Sequence, residues 1–495
     1  ITCSNCGAVL LDVNDIKDDP KLGLQFTCTF CGTVNKVGSL PTQYVGGTEL
    51  EFILEKVESQ QESKERPMKQ ISGDLVTSII DVSGSMSGGK IEAVKHNLVE
   101  TIKDMGINAP SSAFVMITFE SVVQIFLSPN ESAISVTEDK ILRNPDKLQN
   151  FINKKMKQFD IQSIKENVKE WVNQVKNLTS LSMTALGPGL AAGIYIFLTK
   201  GIGGRILLLT DGLANVGFGR LEGNGVRESR PLYEKFANIC LDSGIVVDVI
   251  GVGGGNELAL DVLGKLSELT GGELFFVSRD ELDETFGELT ARQFAGRDVK
   301  IKVFTPQQVE IEEITGISSS AKKAKRMETI QVGSVTPERE ALFQFKVKDK
   351  LDNEVPVQVQ VEYKDKEGNK KLRVFKSNLA SETSEEEYKK DYDGRLLSML
   401  KIQQAGEKYG MGDVQEARDM LSSTKAMFSQ SKGDFSGDVA NESIEFLDDE
   451  LEKIENFELQ KKSKAAKSYS AMMGQKRMRM SYDSKLQELK KKKQK

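Results

Sequence analysis

Three apolar runs, "DLVTSII" (74–80), "GRILLLTDG" (204–212) and "GIVVDVIGVG" (244–253), alternate with stretches of helical periodicity, and that alternation restricts what residues 72–296 can fold into. A strand with little polar alternation is buried on both faces, which calls for a parallel sheet covered by helices on each side. The helical stretches are "KIEAVKHNLVETIKDMG", "RPLYEKFANICLDSG" and "LALDVLGKLSELTG", and "GELFFVS" adds a further strand. "AFVMITFES" and "VVQIFLS" follow one another closely enough to form a hairpin. The expected fold class is therefore α/β, a doubly wound and mostly parallel sheet.

Ligands of such sheets bind beyond the carboxyl ends of the strands, near the point where the strand order reverses. The first strand runs into "DVSGSMSGGKIEA" (81–93), which carries two overlapping patterns. Gly84, Gly89 and Lys90 stand at the spacing of a phosphate-binding loop, but Ile91 occupies the position where such a loop needs a Ser or Thr for magnesium. "GVGGGN" after Ile250 misses a dinucleotide-binding pattern in the same way, with Asn256 at its third glycine position. The other pattern, Asp81, Ser83 and Ser85, is a set of oxygen ligands for a hard cation. Asp211 closes another strand, and Thr184 in "SMTALGPGL" begins a helix that can face the same crevice. Magnesium takes oxygen ligands in a nearly regular octahedron. The hydroxyls of Ser83, Ser85 and Thr184 can bind it directly, while Asp81 and Asp211 hold its waters and balance its charge. With neutral direct ligands, one position is left for a carboxylate from another molecule.

At the start of the chain, Cys3-Ser-Asn-Cys6-Gly and Cys28-Thr-Phe-Cys31-Gly form two knuckles. Each brings two thiolates to one cation, and together Cys3, Cys6, Cys28 and Cys31 make a four-thiolate zinc site that staples a segment too small to fold alone. The fifth cysteine, Cys240, sits in a helical pattern and reads as a buried thiol. So few cysteines, four of them paired this way, exclude a disulfide framework and point to a reducing, cytoplasmic setting.

After residue 296, "DVKIKVFTPQQVEIEEITG", "METIQVGSVTPEREALFQFKVKD" and "VPVQVQVEYKDKEGNKKLRVFKS" alternate apolar and polar residues as an antiparallel β-sandwich does. From Ser384 the spacing turns helical. The chain thus divides into a zinc ribbon (1–45), a linker (46–71), the α/β domain (72–296), a β-sandwich (297–380), a helical domain (381–460) and a basic tail (461–495). The net charge of −6 conceals an uneven distribution: the tail carries +11, leaving −17 for the rest. Such a tail suits an acidic surface. No run of about 18 apolar residues offers a membrane span.

The D-x-S-x-S of Asp81, Ser83 and Ser85, with Thr184 before "ALGPGL" and Asp211 in "LLLTDG", resembles the metal-ion-dependent adhesion site of von Willebrand factor type A domains. The resemblance implies a Mg2+ or Mn2+ site that engages an exposed Asp or Glu of a partner protein. Residues 136–178, longer than the usual connection of that family, form an insert that could shape or cover the site. The order zinc ribbon, type A domain, β-sandwich and helices is similar to that of COPII inner-coat subunits, with "CTFCGTVNKVGSLPTQY" as the best local likeness. The expected function is a cytoplasmic protein-binding adaptor that uses its cation site. The alternative is a vesicle-coat or trafficking scaffold that binds through other surfaces. Catalysis is not expected, because the carboxylates are committed to the metal and His96, the one histidine, falls on the helix after the loop. Nucleic acid is disfavoured as a partner.

Overall fold

The computed structural model describes residues 1–494 apart from 11, 22, 40–47, 56–74, 158, 160, 181–182, 212–213, 253–259, 278–293, 318–324, 338, 349–353, 366–367, 380–393, 412, 431–436, 461–472, 475–476 and 478–480. The "GVGGGN" glycines after Val252, most of the 46–71 linker and Met478 and Met480 lie outside the described residues.

The N-terminal module is a three-stranded antiparallel sheet of β1 (Lys17–Asp19), β2 (Gly23–Thr27) and β3 (Val34–Lys36). Next comes β4 (Glu49–Glu55), within the segment expected to be a linker. It is instead the edge strand of the distant sandwich, paired antiparallel over residues Glu49 to Glu55. Pairing decides its conformation, because "ELEFILE" has no buried face of its own to announce it.

The α/β domain follows as β5 (Leu75–Asp81), α1 (Gly89–Asn108), β6 (Ala113–Phe119), β7 (Val123–Phe126) and β8 (Ile134–Val136), then α2 (Asp139–Leu142), α3 (Pro145–Met156), α4 (Val168–Lys176) and α5 (Leu186–Lys200). It ends with β9 (Gly204–Thr210), α6 (Gly225–Asp242), β10 (Ile245–Val252), α7 (Leu260–Thr270) and β11 (Leu274–Val277). The sheet order is β11-β10-β9-β5-β6-β7-β8. Its first five strands are parallel, and β6-β7-β8 run antiparallel, as the expected hairpin requires. Alternate residues of each strand serve opposite faces. Leu75, Ile79, Val115 and Ile117 meet α3, α5, α6 and α7 on one side, while Ile80, Phe114 and Met116 meet α1 and α4 on the other.

The long insert packs on the helical layers and, through Leu142 O accepting from Phe218 N (3.0 Å), also touches the loop after β9. Helix α3 packs on α5, and α4 packs on α1, with Trp171 edge-on to Phe114 at 5.0 Å between ring centroids. The sheet on one side and α3 on the other explain why every residue of α5 from Leu186 to Phe197 is buried; a helix apolar all round belongs in an interior. Gly193 lets α5 approach the sheet, since a Cβ there would come within 2.7 Å of Ile79 Cδ1.

The sandwich comprises β12 (Gly296–Phe304), β13 (Val309–Thr315), β14 (Thr329–Val335), β15 (Leu342–Val347), β16 (Val355–Lys364) and β17 (Lys370–Leu379), in sheets ordered β14-β12-β16-β17-β4 and β13-β15. The N-terminal module docks on it through polar side chains that bind main chain. Gln358 both accepts from Val9 N (2.9 Å) and donates to Val9 O (2.8 Å), completing a bond pair that a neighbouring strand would otherwise supply. Lys302 Nζ donates to Cys6 O (2.8 Å) and Arg326 to Phe30 O (2.6 Å).

The helical domain packs α8 (Gly394–Met411), α9 (Val414–Gln430) and α10 (Gly437–Gln460) around Met399, Ile402, Leu421, Phe428 and Phe446. The basic tail is not wholly a free end. Its helix α11 (Tyr482–Gln494) returns to the bundle and inserts Lys485, fully buried, between Asp449 (2.6 Å) and Glu450. Arg477 pairs with Glu450 as well and lies over the Tyr409 ring. Burial alone would raise the Glu450 carboxyl, but Arg477, Lys485 and Lys453 hold it far below the usual carboxylate range. A depressed acid contributes stability above its unfolded pKa of about 4.3, and the contribution fades as pH falls through the folded value. Lys485→Ala should destabilise the helical domain by about 3–5 kcal/mol at neutral pH, because it strands buried carboxylates. Urea unfolding read by limited proteolysis of α10 checks this, and the deficit should shrink as the pH is lowered below about 4.

Candidate metal centres

In the N-terminal module each knuckle closes on a glycine in the left-handed region, Gly7 (φ 81°) and Gly32 (φ 74°), whose amides donate to Cys3 O and Cys28 O at 2.9 and 2.8 Å. A side chain in that conformation would be strained. The four sulfurs all lie within 4.8 Å of one another, with Cys3–Cys31 at 3.5 Å and Cys6–Cys28 at 3.7 Å. Tetrahedral zinc with bonds of about 2.3 Å places its sulfurs about 3.8 Å apart. The donor set and its spacing therefore fit a zinc ribbon, and none of these cysteines is in a disulfide.

Burial opposes ionisation of Cys31, but the Thr33 hydroxyl and amide and neighbouring thiols bring it down to about 6. One supporting residue carried no sequence signal. Asn35, buried on β3, donates to Cys3 Sγ (3.5 Å) while its carbonyl accepts from both Ser4 N and Ser4 Oγ at 2.8 Å. It fixes the first knuckle in the way that outer-shell partners orient metal ligands.

The second cluster forms where β5, β9 and β6 present adjacent carboxyl ends. Asp81, the last residue of β5, is fully buried; its carboxylate accepts from Ser83 N (2.9 Å) and from Thr210 Oγ1 (2.7 Å) at the end of β9. Ser83 Oγ and Ser85 Oγ stand 3.0 Å apart, and Ser85 Oγ donates to Asp211 Oδ1 at 2.6 Å. Four of the five residues singled out in the sequence, Asp81, Ser83, Ser85 and Asp211, are thus joined by one hydrogen-bonded chain.

Thr184 reaches this end of the sheet by its backbone. Its amide donates to Asn215 Oδ1 (3.0 Å), its carbonyl accepts from Asn215 N and Val216 N, and Ala185 N donates to Glu120 O just beyond β6. Its side chain makes no described hydrogen bond into the cluster.

The cluster also contains Lys90, the second residue of α1. Its ammonium donates to Asp211 Oδ2 at 2.5 Å and to Ser85 O at 3.3 Å. In the sequence Lys90 stood out only as part of the failed phosphate-loop pattern. Its better signal was its position, since a cation in the first turn of a helix opposes the macrodipole and needs a compensating anion. Thr210 and Asn215 gave no signal at all.

Burial, helped by the charge of Asp211, raises the Asp81 carboxyl above its ordinary value against the hydrogen bonds from Ser83 and Thr210. Neighbouring ligand oxygens in a magnesium octahedron with bonds of about 2.1 Å lie about 3.0 Å apart, which the two seryl oxygens match. Ser85 is exposed, so the cluster opens to solvent. The Ser83 and Ser85 hydroxyls thus fit neighbouring ligands of a hard cation, beside an Asp211 carboxylate that already holds Lys90.

Comparison with known proteins places these sites in context. Residues 77–286 match the family model described as Sec23/Sec24 trunk domain. A Dictyostelium discoideum protein, "Circularly permutated Ras protein 1", is 22% identical over 457 residues, which is 84% of this chain but 52% of that protein, so the chain spans about half the length of this relative. The crystal structure of the human COPII-coat protein Sec24c superposes with a TM-score of 0.67 at 15% identity, covering 98% of this chain and 69% of that one. A von Willebrand factor type A protein from Catenulispora acidiphila gives a TM-score of 0.49 at 17% identity, over 76% of this chain and 82% of its own.

Two outcomes are expected. Cys28→Ser should lower bound zinc, measured by elemental mass spectrometry, from one equivalent to none and loosen the module from the sandwich. Asp81→Asn should raise the melting temperature of the metal-free protein by a few degrees, because it removes a buried charge while an acceptor remains for Ser83 N. The sign follows from the raised carboxyl, which costs stability as pH rises through its folded value.

Proposed function

We propose that this chain, with its Sec23/Sec24-type trunk, is a protein-binding scaffold of the COPII inner-coat kind, acting in the cytoplasm through surfaces away from the Asp81 loop. The observation that carries this reading is the continuity of the likeness to Sec24c, which extends over 98% of the chain and so takes in the ribbon, the sandwich and the helices as well as the trunk. The joints between modules support it. Gln358, Lys302 and Arg326 fix the ribbon to the sandwich, and Gln403 of α8 accepts from Thr315 of β13. Satisfied buried polar contacts of this kind specify one arrangement of domains, as a scaffold that presents fixed surfaces needs.

A second reading is favoured by one observation, the convergence of Ser83, Ser85 and Asp211 oxygens. In it the protein is an adaptor whose Mg2+ or Mn2+ engages an exposed Asp or Glu of a partner. Ser83, Ser85 and Thr184 would hold the ion, with Asp81 and Asp211 orienting its waters; the ion would supply Lewis acidity toward a carboxylate. Under either reading the four thiolates would hold Zn2+ as a structural staple. We assign no catalysis, since His96 points to solvent from α1 and the cluster's carboxylates are occupied by Ser83, Thr210, Ser85 and Lys90. Among the described residues no helix is long and apolar enough to cross a membrane.

Affinity capture with wild type and Asp81→Ala, each with magnesium or with chelator, separates the two readings. The scaffold reading expects the same partners under all four conditions, with vesicle-coat components among them. Loss of partners on both mutation and chelation would transfer the function to the cation site.

A further inference from the structure

We propose that the Lys90 ammonium is the resident cation of the Asp81–Asp211 cluster, and that a divalent ion enters only by displacing it. Four observations converge. The Asp211 side chain is fully buried, yet both of its oxygens are engaged from the loop side, Oδ1 by Ser85 Oγ at 2.6 Å and Oδ2 by Lys90 Nζ at 2.5 Å. The ammonium is held a second time by Ser85 O at 3.3 Å, so it sits over the same serine whose hydroxyl belongs to the candidate ligand set. Lys90 lies in the first turn of α1, where the helix dipole disfavours a cation, and Asp211 supplies the compensation that keeps it there. Asp81 belongs to the same hydrogen-bonded chain as Asp211, through Ser83 and Ser85, so the ammonium and a divalent ion would draw on the same group of oxygens.

The consequence is an exchange. A divalent ion bound beside an undisplaced Lys90 would have to share the Asp211 carboxylate with an ammonium and would meet its repulsion at short range. Once Lys90 leaves, the Asp211 carboxylate is free to balance the ion's charge. The lysine side chain is 35% exposed, so it can swing into solvent from a fixed helix. Lys90 therefore sets the affinity of the site and keeps the loop folded when no metal is bound. This inference does not depend on the coat reading, since a scaffold that binds elsewhere can still carry a self-neutralised cluster.

The test uses the full chain and Mn2+ as the probe. Binding is measured by the loss of free-ion electron paramagnetic resonance signal for wild type, Lys90→Met and the double variant Lys90→Met/Ser85→Ala. Lys90→Met should bind Mn2+ at least about tenfold more tightly than wild type, the effect of removing one nearby like charge, and the double variant should lose that gain. In wild type, amine-reactive labelling quantified by mass spectrometry and normalised to exposed Lys103 should show Lys90 becoming more reactive as Mn2+ saturates. That second arm stands even if Lys90→Met fails to fold. Equal or weaker binding by Lys90→Met, unchanged Lys90 labelling at saturation, or no Mn2+ binding by either protein at millimolar concentration would overturn the proposal. None of these outcomes bears on partner capture, so they leave the coat reading standing or falling on its own experiment.

Discussion

The buried carboxylate of Asp81 organises the loop end of this molecule. It accepts from Thr210 at the end of the neighbouring strand and from the amide of Ser83 two residues on, so β5, β9 and the turn between β5 and α1 are joined at one point. A carboxylate taken out of water is costly, and these two contacts offset part of that cost while fixing its position. The turn they set carries Ser83 and Ser85 to Asp211 and starts α1 where Lys90 can reach the same acid. Without that anchor the two seryl oxygens would have no reason to stand at ligand spacing.

The other modules are arranged about this sheet with little freedom left to their joints. A four-thiolate module of about 40 residues buries too little surface to be stable alone. It leans on the sandwich, through Phe30 against Phe304 and through main-chain bonds from Gln358, Lys302 and Arg326, and its four converging thiols fit a metal staple. Strand β4 closes the circuit by adding an early segment to the far sheet. The insert joins the same economy of burial, since α3 covers α5, an interior helix, and α4 covers part of α1.

Much of this could be read along the chain. Uninterrupted apolar strands such as "GRILLLTDG" announce a sheet covered on both faces, and C-x-x-C-G announces its sulfur geometry, because each pattern is local and short-range sterics enforce it. The helical insert was visible as helices but not as a cover for α5 and α1, since a helix does not state in its own residues which neighbour it will meet. The basic tail was visible as charge, while the burial of Lys485 against Asp449 and Glu450 was not.

The amino-acid order by itself determined the types of element, the pairing of the four cysteines in two knuckles and the grouping of Asp81, Ser83, Ser85 and Asp211 beyond the strands, all consequences of backbone periodicity and of side-chain chemistry at fixed spacing. Only the tertiary structure decided that "ELEFILE" is a sandwich strand, that Thr210 completes Asp81, and that Lys90 faces Asp211, 121 positions along the chain. Each of these pairs residues far apart in sequence, and such pairings are set by the packing of the whole sheet, which no local pattern encodes.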